Sequence, residues 1–125
     1  MSDRELLEAA ARAFWAGEID DVVSIEWGTQ DDCILYTHAD NQDHNGHDRA
    51  FRWDPLEENH DAFELAVKLN LMIFPDDDPK GDRRYSLVEC GITGKFGSVD
   101  WTDDPYAATR RAIVLCAAAL AKDTP

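Results

Sequence analysis

The densest run of potential ligand atoms in this chain lies between His38 and Asp48. His44 and His47 are three residues apart and, with Asp40 or Asp48, would share one divalent metal. Imidazole with carboxylate suits zinc, nickel or manganese. Asn41-x-Asp43-x-Asn45-Gly46 also imitates the first half of a calcium loop. Its twelfth position is Arg52, so the bidentate glutamate is missing. A solvated turn around Asn45-Gly46 accounts for the same residues without a metal. Asp76, Asp77 and Asp78, with Asp82, form a second acidic group that either collects a cation weakly or stays solvated as a charged loop.

Two arginine pairs stand out against this acidity. Arg83-Arg84 and Arg110-Arg111 would hold a phosphate or carboxylate through paired N–H donors. Surface ion pairing to Glu57, Glu58 or Asp103 is the plainer expectation. Trp15, Trp27, Trp53 and Trp101 are many for this length. Trp53 and Tyr106 are the candidate aromatic contacts for a ligand or partner, with core packing as the alternative for most of the tryptophans. No nucleophile motif is present. There is no G-x-S-x-G, no P-loop and no G-x-G-x-x-G, and Gly94-Lys95-Phe96-Gly97-Ser98 lacks Walker spacing. Cys33 and His38 sit at odd spacing on one predicted strand and so point to opposite faces. No catalytic residue is assigned, and no cofactor is expected beyond a divalent metal at the His44/His47 cluster.

Positioning such groups takes one domain. The chain has 125 residues, 44% of them hydrophobic, which is enough for a single packed core. Acidic residues number 26 against 12 basic, a net charge of -14. That field disfavours nucleic acid and anionic membranes and would attract a basic surface on another protein. Three cysteines, Cys33, Cys90 and Cys116, show no C-x-x-C spacing, so reduced buried thiols are expected. The absence of an apolar leader or a run of ~20 apolar residues predicts a soluble, cytoplasmic protein.

Ser2-x-x-Glu5 is a capping box before a helix over 3–15. Strands are predicted over 22–27 and 33–38, as a hairpin, and over 50–53. Asn59 is expected to cap a helix over 60–69, with Asn70 at its end. A short strand over 71–74 leads to an acidic loop over 75–84, expected to be the most mobile stretch. Strands over 84–91 and 92–101 follow. Asp104 and Pro105 open a last helix running to about Ala121, its stripe being Tyr106, Thr109, Ile113, Cys116, Ala117 and Leu120. The fold class is α+β: three helices on one mostly antiparallel sheet of about four to six strands.

Two segments carry a family likeness. Trp53-Asp54-Pro55-Leu56 with Asp61-Ala62-Phe63-Glu64-Leu65-Ala66-Val67-Lys68-Leu69 is one. Asp103-Asp104-Pro105-Tyr106-Ala107-Ala108-Thr109-Arg110-Arg111-Ala112-Ile113-Val114 is the other. Together they resemble small phage and prophage proteins of unknown function, similar to the NinX group and the phage ABA-sandwich domain. Glu5-Leu6-Leu7-Glu8-Ala9-Ala10-Ala11-Arg12-Ala13 also fits the pattern, and with it the resemblance covers roughly a third of the chain. It implies a phage accessory protein acting on host machinery or host immunity, and carries over no catalytic residue.

The expected function is therefore a phage-encoded acidic binding protein that inhibits a host defence or another host factor. A sponge for a nucleotide signal is the alternative, and a metal-dependent hydrolase a third. A spare sheet edge or face would also permit a homodimer.

Overall fold

The computed structural model describes residues 2–16, 23–27, 33–42, 48–77 and 84–121. In chain order the elements are α1 (Asp3–Phe14), β1 (Val23–Trp27), β2 (Ile34–Gln42), β3 (Asp48–Trp53), α2 (Asn59–Lys68), β4 (Leu71–Asp77), β5 (Arg84–Cys90), β6 (Phe96–Asp100) and α3 (Pro105–Ala121). The fold is α+β, but the strands do not form one sheet. They fall into two antiparallel meanders, β1-β2-β3 and β4-β5-β6. Among the described residues no strand of one pairs with the other. Each strand pairs with its sequence neighbour, and the α2 excursion separates β3 from β4.

Local chemistry explains the helix ends. Ser2 Oγ accepts from the Glu5 amide at 3.2 Å and donates to the Glu5 carboxylate, closing the start of α1. Asp104 Oδ1 accepts from the amides of Tyr106 and Ala107 at 3.0 and 3.2 Å, and Pro105 occupies the first helical position of α3. Asn70 takes a left-handed conformation (φ 55°) after α2, where asparagine is tolerated. Asn59 does not cap α2. It is the first helical residue, Glu58 is the cap residue without a side-chain bond, and the Asn59 amide group is used elsewhere.

Three strands run further than the sequence pattern predicts. Ala39–Gln42 continue β2, and β3 begins at Asp48, which pairs with Gln42. Pro75, Asp76 and Asp77, expected in a loop, extend β4 opposite Ser86, Tyr85 and Arg84. Proline is tolerated there because β4 is an edge strand with no partner on its second side among the described residues. Residues 78–83, the rest of that expected loop, lie outside the described residues.

The core is one cluster. α3 packs against α1, α2, β5 and β6, so it is buried around most of its circumference rather than along one stripe: Ala112, Ile113, Val114, Cys116, Ala117 and Ala118 are all buried. Alanines 9, 10 and 13 of α1 are buried too, which lets the helices approach closely. At the other end of α1, Phe14 and Trp15 pack on Trp53 of β3, with ring centroids 5.5 and 5.1 Å away, and Trp15 also meets Tyr36 of β2.

The tightest approach is between β6 and α3. A Cβ at Gly97 would lie 2.5 Å from the Ala112 carbonyl oxygen and 2.8 Å from the Cys116 amide nitrogen. Both are backbone atoms inside a helix and cannot step aside. Gly97→Ala should therefore push β6 from α3 and lower stability by about 1–3 kcal/mol, the usual cost of overpacking. Urea unfolding reads this directly, and an unchanged midpoint would mean that the strand has room to shift.

Candidate functional site

The end of β6, the first turns of α2 and α3, and the middle of β4 enclose an apolar cleft of about 390 Å³. α2 contributes Asn59, Ala62 and Phe63. β4 contributes Ile73, and Trp101 follows β6. α3 contributes Pro105, Tyr106, Thr109, Arg110 and Ile113. Phe63 and Tyr106 are 65% and 70% exposed, so large apolar groups stand open at its rim. Eight of these ten lining residues fall on α2 or α3, so the two helices form most of the cleft wall.

Two hydrogen-bond systems hold the cleft in shape. Trp101 Nε1 donates to Ser86 Oγ at 2.8 Å, and the Thr109 hydroxyl donates to the Pro105 carbonyl at 2.8 Å. Ser86 Oγ and Thr109 Oγ1 are 2.7 Å apart. Thr109 has used its hydrogen, so Ser86 donates to it. The result is a one-way chain from indole to Ser86 to Thr109 to the α3 backbone, in which each donor has an acceptor. Ser86 is completely buried, so this chain has no water to fall back on.

The second system fixes Arg110. Its Nε donates to the Leu56 carbonyl at 2.8 Å, and Nη1 to Asn59 Oδ1 at 2.7 Å. Among the described residues it has no carboxylate partner. An arginine held by neutral acceptors has its guanidinium oriented, which suits it to a carboxylate or phosphate brought from outside.

The other arginines behave differently. Arg111 Nη1 pairs with Asp3 Oδ1 at 2.8 Å, toward α1. Successive residues of a helix do not face one way, so Arg110 and Arg111 cannot grip one anion together. Arg84 is exposed at the start of β5, opposite Asp77, and lies outside the cleft; Arg83 is outside the described residues. Trp53, expected as a contact, is 1% exposed inside the aromatic cluster and serves packing, because β3 turns it inward beneath Phe14 and Trp15. Trp101 is instead the tryptophan at the cleft.

The metal-ligand expectations mostly fall out of view. His44, His47 and Asp78 lie outside the described residues. Asp40 and Asp48 are placed in β2 and β3, and Asp76 and Asp77 in β4, as backbone positions. The structure gathers a different group, His60, Asp61 and Glu64, with ligand atoms within 4.8 Å of one another. The His-x-x-x-Glu spacing on a helix was the signal for it. His60 Nε2 and Glu64 Oε1 are 2.9 Å apart on the exposed side of α2, while Asp61 accepts from the Asp54 amide, so the three already have partners.

Among the described residues four titrating groups are displaced from their usual range: burial raises the Tyr36 hydroxyl, with Glu64 and Asp61 adding to it, and the other three are Asp54, Cys90 and Cys116. Burial raises the Asp54 carboxyl, against the opposing pull of Arg52, and Glu57 raises it further. Burial also raises the Cys116 thiol, to about 11, with Cys90 adding to it. Burial works in the same direction at Cys90, but hydrogen bonds from the Thr93 side chain and from the Thr93 and Ile92 amides outweigh it and lower that thiol. Cys33, Cys90 and Cys116 are all buried, which keeps them from acting as surface nucleophiles. Among the described residues no helix is long and apolar enough to cross a membrane. No protein-family model, no curated protein and no solved structure matches the chain.

Ser86→Ala should strand the Trp101 indole N–H and lower stability by about 1–3 kcal/mol, the cost of a buried unpaired donor. Chemical unfolding monitored by tryptophan fluorescence reads this. Thr109→Ser keeps the chain and should cost less; equal losses in the two variants would contradict the one-way chain.

Proposed function

We propose that this chain is a non-catalytic binding protein whose recognition site is the cleft between α2, α3 and β4. The observation that carries this is Arg110: a cation anchored by neutral acceptors, without a carboxylate partner among the described residues, at an open apolar cleft. Sites of this kind bind through a few apolar anchors plus one oriented polar group.

The resemblance to small phage and prophage proteins supplies the setting, a phage-encoded protein that occupies a host defence or other host factor. Its acidity then acts on encounter more than on holding. A net charge of -14 draws in a basic partner, while the apolar rim of Phe63 and Tyr106 sets how long the partner stays. A nucleotide ligand is the second reading, supported by the same arginine lying beside Tyr106 and Trp101.

Tyr106→Asp and Arg110→Gln variants test the two kinds of contact. Against an isolated host partner, added salt should slow association, and both variants should speed dissociation by about tenfold or more, as expected for a lost hot-spot contact. Surface plasmon resonance measures both rates. Partner binding that is indifferent to both variants would remove the cleft as the recognition site. A thermal shift with a nucleotide panel, lost in Arg110→Gln, would favour the second reading instead.

A further inference from the structure

The cleft does not end at Ile73. A second apolar cleft, about 310 Å³, lies on the far side of Phe63 and Ile73 and is continued by Ala66, Val67 and Leu71. The two share Phe63 and Ile73, so apolar surface runs along the length between α2 and β4. An elongated groove of this shape suits an extended chain better than a compact ligand.

β4 supplies a second feature. Among the described residues it pairs only with β5 and leaves its other edge open. Pro75 lies within the strand opposite Ser86. A proline survives in a ladder where its missing N–H falls on the unpaired side. Backbone direction alternates along a strand, so Ile73 and Leu71, two and four residues earlier, also turn their N–H and C=O groups to the open edge. Both line the groove. Pro75 has no N–H to offer and therefore marks where further pairing stops.

Arg110 closes the larger cleft at its α3 wall and lacks a carboxylate among the described residues. Resting on the cleft as the recognition site, we infer that the occupant is an extended peptide segment. It pairs as an added strand with Leu71 and Ile73 of β4, sets alternate apolar side chains into the two clefts, and brings one carboxylate to Arg110. Strand addition takes affinity from backbone bonds and specificity from pockets for every second side chain, which is the arrangement present here. The chain's net charge of -14 disfavours further acids, so the rest of the segment should be neutral or basic.

The carboxylate has two sources, a chain terminus or an Asp or Glu side chain. Three peptides on a Lys-Lys-Val-Thr-Leu frame distinguish them: one with a free C-terminus, one amidated, and one amidated with an aspartate added after the leucine. Binding to the full chain is followed by titration, and the backbone amides of Leu71 and Ile73 by NMR hydrogen exchange. At least one carboxylate-bearing peptide should bind about tenfold more tightly than the plain amide, as expected for a charge-assisted contact. Arg110→Gln should erase that difference, and the Ile73 amide should gain protection in the complex. Equal binding of all three peptides, or of none, would overturn the inference. If a partner or nucleotide binds in an Arg110-dependent way while Leu71 and Ile73 exchange unchanged, the added strand is wrong and the cleft reading survives. If nothing binds in an Arg110-dependent way, both fail.

Discussion

The close approach of α3 to β6 at Gly97 is the constraint on which the remaining architecture depends. α3 is the one element that meets α1, α2 and the second sheet together. Its burial on several sides is possible because small residues, Ala108, Ala112, Ala117 and Ala118, occupy the contacts. A larger residue on either side would lift the helix, and with it the first turn that carries Tyr106, Thr109 and Arg110. Close packing of this kind loses dispersion contacts steeply with sub-ångström gaps. The position of the cleft wall is thus set by packing well away from the cleft.

Hydrogen bonds then convert that position into orientation. The indole of Trp101 is tied through Ser86 and Thr109 to the α3 backbone, and Arg110 is tied to Leu56 and Asn59 ahead of and within α2. These bonds join β5, the end of β6, α2 and α3. Each holds a side chain that would otherwise lose rotamer freedom on meeting a ligand, and prior ordering lowers that cost of binding.

Much of this was legible in the residues. The helical periods located α1, α2 and α3, and the Ser2/Glu5 and Asp104/Pro105 caps fixed where two of them begin. Arg110 was legible as a candidate because paired arginines stand out in so acidic a chain; the exposure of Tyr106 was not, since it shares a helical stripe with Ile113 and Cys116. Long-range geometry was not legible. Arg110 and Arg111 read as one pair, and only the helical rotation sends one to Asn59 and the other to Asp3. Trp53 and Trp101 are alike in sequence, and which one reaches a cleft depends on the sheet face each strand turns inward. The Pro75-Asp76-Asp77 run carries loop chemistry, but strand pairing with β5 overrides it at an edge that is open among the described residues. The division into two sheets left no local signal, because strand partners are chosen across the fold rather than along it.

The proposed site requires the Arg110 guanidinium to be held in place by Leu56 and Asn59 before any ligand arrives. Side-chain nitrogen NMR of the unliganded chain measures this directly. The account predicts a distinct Arg110 Nε–H signal that exchanges slowly with water, disappears in Arg110→Gln, and shifts in Asn59→Ala. A signal averaged to the position and exchange rate of free arginine, unaffected by the change at Asn59, would contradict it.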